Sequence, residues 1–269
     1  MGDNIMLKEL RFALYAIKKN IQSSAELRTS FLMNVVGMAI NNTAFILLWV
    51  YFIKSVGVIG GWKAPDIIGL QGFAALSYGL VLSVGAGIRK LPDYVASGAF
   101  DRYMLSPKNL LLRVATASFS AAAVGDIVFG LICLVIYGVL LHVSLLQIGL
   151  MAVLIILVTV VFLAMLVAIS SASFYFIDAS AVTNGLFELF LTPGLFHGGA
   201  FQGAMRFIFT FLIPSLLIGA IPVEVVRDLS FTKLIVMLVL AVFWAFVSVK
   251  IFNRSIRKYE SSNFMTFGN

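Results

Sequence analysis

The chain has 269 residues, of which 61% are hydrophobic and only 12% are charged. Soluble domains carry roughly 25% charged residues, so this composition excludes an ordinary soluble domain and indicates a membrane protein. The formal net charge is +7, and Cys133 is the single cysteine, which excludes an intrachain disulfide.

Long apolar stretches recur along the chain, each about long enough to cross a hydrocarbon core of ~30 Å as a helix. They predict an all-α membrane protein, with six transmembrane helices in a single domain over residues 1–269. The predicted spans are 31–53, 67–88, 114–141, 148–177, 180–201 (with its helix ending near His197) and 231–252.

Residues 1–30 precede the first apolar stretch and have the pattern of an amphipathic helix. Apolar residues recur every three or four positions, and basic residues fill other faces of the wheel. The pattern predicts a helix lying in the membrane interface, with packing on protein as the alternative. The apolar positions are Leu7, Leu10, Leu14, Ile17 and Ile21, and the basic ones are Lys8, Arg11, Lys18 and Lys19.

The basic residues are distributed unevenly between the two sides of the predicted bundle. With the N-terminus in the cytoplasm, fourteen of the 19 Lys and Arg residues fall on the cytoplasmic side. The positive-inside rule then places both termini in the cytoplasm, as expected for a multi-pass plasma or inner membrane protein. We therefore attribute the excess charge to topology and to anionic membrane lipids, and we expect no nucleic-acid partner.

The segment 89–113, between the second and third spans, is the most polar part of the chain interior. We expect a short cytoplasmic helix from Pro92 to Leu105, because proline is tolerated in a first helical turn and Ser106-Pro107 ends the helix. Its charged residues suit docking to a partner, and a solvated loop without a partner is the alternative. These residues are Asp93, Asp101, Arg102 and Lys108.

A short motif within this segment resembles a known family. The pattern Gly-x-Phe-Asp-x-Tyr-x-Leu-x-Pro between spans 2 and 3 is similar to that of ABC-2 type permeases, the membrane subunits of ABC exporters. It especially resembles six-span permeases related to daunorubicin and viologen exporter subunits. The matching positions are Gly98, Phe100, Asp101, Tyr103, Leu105 and Pro107.

The resemblance implies a permease driven by two separate ABC ATPase subunits through the segment 89–113. ATP and Mg²⁺ would be bound by those partners, and we expect no cofactor in this chain. The sequence agrees, because it contains no G-x-x-x-x-G-K-[ST] phosphate loop. A second copy or a related permease would complete the pathway.

The region between the fifth and sixth spans is apolar but too long for one connection. We expect Pro193 to close span 5, and an outer re-entrant hairpin over 203–228 with breaks at Pro214 and Pro222. Non-helical backbone at membrane depth needs protein or a cavity to satisfy its polar groups, so the hairpin should pack on the bundle. ABC-2 permeases carry re-entrant helices at this position.

Two acidic residues, Asp126 and Glu188, fall inside predicted spans, where a charge costs at least about 2.5–3.5 kcal/mol. Such residues face the bundle interior by default. For Asp126, near the middle of span 3, the alternatives are a structural hydrogen bond, a place on the substrate path or a subunit interface, and proton handling. Glu188 fits either a position near the cytoplasmic gate or a local ion pair.

Phenylalanines are concentrated around the fifth span and the hairpin. They would suit a route for a lipophilic substrate, and ordinary packing against lipid and helices is the alternative. The residues are Phe187, Phe190, Phe196, Phe201, Phe207, Phe209 and Phe211.

The sequence therefore predicts the permease subunit of an ABC exporter for an amphipathic or lipophilic substrate, with no catalytic site of its own. A proton-coupled secondary transporter using Asp126 and Glu188 is the alternative, although the inverted repeats typical of that class are not evident. An intramembrane enzyme or assembly factor is a third possibility, but no nucleophile or metal constellation supports it.

Overall fold

The computed structural model describes residues 2–56, 60–176 and 179–259, and their regular structure is entirely helical. Short 3-10 turns extend α8 to Phe174 and α12 to Lys258, and a π-helical turn extends α10 to Leu212. The α-helices are α1 (Gly2–Glu26), α2 (Arg28–Val56), α3 (Ala64–Arg89), α4 (Leu91–Ala96), α5 (Asp101–Met104), α6 (Leu110–Ala115), α7 (Ala122–Leu141), α8 (Leu145–Ser170), α9 (Ala179–Gly194), α10 (Gly203–Phe207), α11 (Ala220–Asp228) and α12 (Phe231–Ser255).

Five helical stretches among the described residues are long and apolar enough to cross a membrane. They are Arg28–Tyr51, Ala64–Ala96, Ala122–Leu141, Leu145–Phe174 and Phe231–Lys258. The predicted span 180–201 corresponds to α9, whose 16 residues extend only about 24 Å. Pro193 lies one residue before the end of α9, as expected for a residue that cannot continue a helical hydrogen-bond ladder.

The centre of the bundle is α3, which packs against α2, α7 and α8. Its glycines let α7 approach closely: a Cβ on Gly79 would lie 2.8 Å from the carbonyl oxygen of Ala123, and one on Gly130 would overlap the backbone of Leu76. Helix association in lipid relies on such close van der Waals packing, because lipid tails provide no hydrophobic drive between helices.

The outer faces of the bundle are apolar. In the apolar window of α2 no residue is buried, and α7 and α12 also expose rows of large aliphatic and aromatic side chains. Apolar surfaces of this extent would promote aggregation in water, whereas a hydrocarbon environment requires them.

The predicted third span, 114–141, is interrupted. Helix α6 ends at Ala115 and α7 begins at Ala122, so residues 116–121 are not α-helical. This break lies beside α3, because Val114 lies against Gly87 whereas Ala123 lies against Gly79, two turns further into the bundle. The prediction of one continuous helix over 114–141 is therefore wrong for residues 116–121.

Residues 203–228 form two short helices joined by an irregular turn around Pro214. The stretch 215–226 is buried among α3, α8, α9 and α12. The carbonyl oxygen of Val226 accepts a hydrogen bond from Gln147 Nε2 at 2.8 Å. The break expected at Pro222 is absent, because Pro222 lies in the first turn of α11, where its missing N–H has no intrahelical partner to lose.

The N-terminal amphipathic stretch is helical, as α1. It packs partly on protein: Ala13 is buried, and Asn20 Nδ2 donates a hydrogen bond to the carbonyl oxygen of Thr116 at 2.8 Å. Leu7 and Leu14 remain exposed and are free to face lipid.

Candidate functional site

The single helix expected from Pro92 to Leu105 in the segment 89–113 is instead two short helices, α4 and α5, and α6 begins at Leu110. The break falls at Gly98, whose φ of +69° lies in the left-handed region that favours glycine. The chain turns back on itself there, so that the backbone N–H of Phe100 donates to the carbonyl oxygen of Tyr94 at 2.9 Å.

The aromatic residues of the motif point inward. Phe100 is fully buried, and its ring packs edge-on against Phe174 at the end of α8 and Tyr259 beyond α12, with centroid distances of 5.3 and 4.9 Å. Tyr103 is also buried, and its carbonyl oxygen accepts a hydrogen bond from Arg113. These contacts fix the segment to the helices beneath it.

Two acidic residues tie the same segment to distant parts of the chain. Asp101 Oδ1 accepts a hydrogen bond from the hydroxyl of Tyr259 at 2.7 Å, and Asp93 Oδ1 accepts one from Ser180 at the start of α9 at 3.0 Å. Burial and the contact with Asp101 raise the pKa of Tyr259, so this hydroxyl keeps its proton at physiological pH.

The other side of the segment is open. Leu105 has 87% of its surface exposed, Met104 has 50%, and Arg102 and Pro107 are exposed as well. Lys108 lies over the Phe12 ring of α1, with its Nζ 4.0 Å from the ring centroid. The segment therefore has an anchored inner face and a mixed apolar and charged outer face.

Asp126 is the fifth residue of α7 and is buried, with 1% of its surface exposed. Its Oδ1 accepts a hydrogen bond from Asn42 Nδ2 of α2 at 2.7 Å. Its Oδ2 has no hydrogen-bond partner among the described residues. The structural hydrogen bond weighed from the sequence is thus present, but it satisfies only half of the carboxylate.

Glu188 does not face the bundle interior. It is exposed on the outer side of α9, in line with Asn184 and Thr192, one helical turn away on either side. It lines neither of the two cavities that Asp126 borders, which removes the geometry that a shared proton path would need.

Phe187 and Phe190 pack in the core instead of lining an open route. Their exposed fractions are 2% and 1%, and they contact the rings of Tyr78 and Phe162 with centroid distances of 5.9 and 5.6 Å. Phe187 also lies under the guanidinium of Arg89, 4.3 Å from the ring centroid. Their geometry supports the packing alternative.

Comparison with known proteins identifies the family of this chain. A family profile described as "ABC-2 family transporter protein" matches residues 39–263. The chain is a member of the ABC-2 transporter family. Neither a curated protein nor a solved structure matches the chain. The match covers α3 to α12 and most of α2, so the buried acid and the segment 89–113 both fall within it.

Membership makes this chain a multi-pass transport permease, a membrane component that is not itself catalytic. Permeases of this family normally work with ABC ATPase partners. Among the described residues, no group of three or more His, Cys, Asp and Glu side chains is arranged to hold a metal ion.

The far end of the permease, opposite the segment 89–113, carries a network of ion pairs that sequence reasoning missed. Glu224 is buried and its Oε2 lies 2.7 Å from both Arg206 and Lys233. Arg227 pairs with Asp228 at 2.9 Å. The hydrogen bond from Arg227 lowers the pKa of Asp228, and that bond likewise raises the pKa of Arg227. No local pattern predicts the two pairs of Glu224, because they join α11 to residues of α10 and α12.

The network continues to the start of α3. Arg227 Nη1 lies 3.3 Å from Oδ2 of Asp66, and that oxygen also accepts the backbone N–H of Lys63 at 2.9 Å. The residues 203–233 are thereby joined to the central helix of the permease. This end of the molecule is closed by charge pairing, while the opposite end presents an exposed surface.

Proposed function

We propose that the chain is the permease subunit of an ABC exporter that moves an amphipathic or lipophilic substrate. Two ATPase subunits drive it by docking on the segment 89–113, and ATP with Mg²⁺ is bound on those subunits. A second copy of this chain or a related permease completes the pathway.

One observation carries the proposal: the segment 89–113 contacts the ends of three other helices and the middle of α1. The ring of Phe100 contacts that of Phe174 after α8. Asp93 accepts a hydrogen bond from Ser180 at the start of α9. Asp101 accepts one from Tyr259 after α12. Lys108 covers Phe12 of α1, and α4 follows α3 almost without a break. A displacement of this segment would therefore be transmitted to several helices of the bundle at once, as a coupling element requires.

The outer face of the segment suits a protein partner better than water. Leu105 and Met104 are large apolar side chains that project from a polar surface, flanked by Arg102. Apolar anchors surrounded by charges are typical of protein interfaces. Because ATP is cytoplasmic, docking places this face and both termini in the cytoplasm, in agreement with the distribution of Lys and Arg.

The outer face of α9 supports an assembly of two permeases. Asn184, Glu188 and Thr192 form an exposed polar line on a helix that packs on α4 and α8 at the level of the spans. A carboxylate facing lipid is costly, so protein or an aqueous pathway should cover this line. A second permease copy provides either.

The experiment compares two equally exposed leucines. Leu105 and Leu145 have 87% and 86% of their surface exposed, and they lie at opposite ends of the permease. We expect Leu105→Arg to prevent co-purification of the P-loop ATPase encoded nearest to this gene. We also expect it to abolish the increase in ATP hydrolysis that the transported substrate causes. Leu145→Arg should retain both, because it changes the same surface chemistry at the end without the segment 89–113.

Two results would contradict the proposal. One is a transport-competent complex, reconstituted from this chain, that contains no P-loop protein. The other is an unchanged ATPase yield with Leu105→Arg when both variants insert into the membrane at the wild-type level.

A further inference from the structure

Two cavities lie side by side within a single copy of the permease, between α2 and the helices α3 and α7. The larger has a volume of about 560 Å³ and the smaller one of about 170 Å³. Met38, Tyr78 and Asp126 line both, so these three residues form the partition between them. The larger volume is within the usual range of small-molecule sites.

Two of the residues that line the smaller cavity carry a buried polar atom that lacks a partner. Asp126 Oδ2 is an acceptor and Gln71 Nε2 is a donor, and neither has a hydrogen bond among the described residues. The two side chains are 1% and 6% exposed. An unsatisfied buried polar group is destabilising, so a pair in one small cavity indicates a ligand that supplies the missing partners.

The larger cavity is elongated and extends to the end that carries the segment 89–113, where Arg89 and Lys90 line it. Its wall on α3 runs from Tyr78 through Leu82 and Ala86 to Arg89, a rise of eleven residues or about 17 Å along the helix. Phe31 and Leu27 form the opposite wall, where α1 meets α2. The shape is that of a slot for one extended chain, with apolar side chains along both walls and the charged Arg89 and Lys90 at one end.

The break in the third predicted span explains how this slot exists. Phe119, Ser120 and Ala121 of the non-helical stretch 116–121 line it, together with Ala122 at the start of α7. Irregular backbone at membrane depth is stable where it borders a protein cavity and not where it faces lipid. A continuous α6–α7 helix would fill space that the chain leaves open.

We propose that these two cavities form one binding site for an amphiphile whose polar group both donates and accepts hydrogen bonds, a hydroxyl or a primary amide. The polar group lies between Asp126 and Gln71, and the chain lies in the larger cavity toward Lys90. The site deepens the proposed function, because it would receive the substrate within one copy before the pathway between copies opens.

The two unpartnered groups determine which polar group fits. A hydroxyl or amide donates to Asp126 Oδ2 and accepts from Gln71 Nε2. A carboxylate has no proton to donate and is repelled by Asp126, whereas a trimethylammonium neither donates nor accepts. An alkylammonium donates to Asp126 but leaves the Gln71 donor unsatisfied.

The test measures protection of a cysteine in the larger cavity. Ser120→Cys is nearly isosteric and is the reporter, in a Cys133→Ala background in lipid nanodiscs without any ATPase. Labelling by N-ethylmaleimide is followed in the presence of dodecanamide, dodecanol, laurate or dodecyltrimethylammonium. The exposed Ser23→Cys is the control reporter, because Ser23 lies outside the cavity lining.

We expect dodecanamide and dodecanol to protect Ser120→Cys at concentrations at least tenfold lower than laurate and dodecyltrimethylammonium, and Ser23→Cys to be unprotected. Gln71→Leu and Asp126→Ala should each shift the protection midpoint about tenfold, as expected for one buried hydrogen bond. Glu26→Gln removes a carboxylate outside the lining and should shift nothing.

If Gln71→Leu or Asp126→Ala does not fold, Ala86→Phe tests the site instead. It fills the larger cavity, keeps both polar groups and should abolish protection of Ser120→Cys. Equal protection by all four probes overturns the proposal, as does protection that survives Ala86→Phe. Because no ATPase is present, failure here leaves the ATPase-docking proposal standing, and failure of docking leaves this site standing.

Discussion

At the scale of single residues, the segment 89–113 has two different sides. The side chains that are buried determine which side faces the bundle and which side is exposed. Phe100 and Tyr103 face the bundle, whereas Leu105 is almost fully exposed. Phe100 and Tyr103 are three positions apart and therefore share one side, whereas Leu105 follows Tyr103 by two positions and points away from it. The same motif thus provides an anchor on one side and a contact surface on the other.

The hydrogen bond between Tyr259 and Asp101 can be removed alone. Tyr259→Phe keeps the ring that packs on Phe100 and Phe174 and deletes only the hydroxyl. We expect a loss of about 0.5–1.5 kcal/mol in the free energy of unfolding, measured by thermal or denaturant melts in detergent. Substrate stimulation of the assembled ATPase should fall more than basal hydrolysis does.

Tyr175→Phe is the matched control, since Tyr175 is exposed and lies near the same helix ends. A Tyr259→Phe permease with unchanged stability and unchanged stimulation would show that this bond does not link the segment to α12.

At the scale of helices, the contact between α3 and α7 holds the bundle together. The two helices approach so closely that Gly130 of α7 leaves no space for a methyl group beside the backbone of Leu76. Backbone atoms cannot rotate away as a side chain can, so the helices would have to separate.

Gly130→Ala should therefore destabilise the permease by about 1–3 kcal/mol, the usual result of overpacking a core. Gly149→Ala is the matched control, because nothing lies within 4 Å of a Cβ there and alanine favours the helix more than glycine does. Melting temperatures of the two variants in the same detergent provide the comparison. Equal melting temperatures would mean that the helices are not this close.

At the scale of the whole molecule, the two ends differ in kind. Ion pairs around Glu224 and Arg227 join α3, α11 and α12 at one end, and the exposed segment 89–113 lies at the other. Between them, α2 has no buried residue in its apolar window, which makes it the least buried of the five long apolar stretches. It also forms one wall of both cavities, which makes it the element whose movement would open them.

The polar line on α9 predicts which face meets a second permease. In a Cys133→Ala background, Glu188→Cys should form a covalent dimer on mild oxidation in membranes, read as a band of doubled mass on a non-reducing gel. Val153→Cys on α8 is the control, because Val153 is exposed on an entirely apolar face. A dimer band of equal strength from both, or from Val153→Cys alone, would place the contact elsewhere.

Most of the helical architecture could be predicted from the sequence. Five of the six predicted spans correspond to long apolar helices, although the third is shortened, and their positions follow from hydropathy alone. The family also followed from the motif around Gly98 and Phe100, and the profile match confirms it. The predicted fifth span (180–201), the hairpin as a re-entrant element and the roles of the site residues stay predictions.

The sequence missed features that depend on neighbours from distant parts of the chain. The sequence predicts a continuous helix around Asp126, and no pattern in it marks Gln71. The buried state of each depends on α2, α3 and α7 meeting at one level of the bundle. Glu188 was expected inside and is exposed, because apolarity along a helix does not say which face a neighbouring helix covers.

The sequence by itself determined that this chain lies in a membrane as long helices, because in lipid each backbone polar group must find its partner within the helix and each outer side chain must be apolar. Both requirements are local and can be checked residue by residue along the chain. Only the tertiary structure decided where α6 stops short of α7, which polar groups stay unpaired and which side of the segment 89–113 faces outward. Those outcomes depend on how closely distant helices pack, and packing distances are not encoded in any short stretch of sequence.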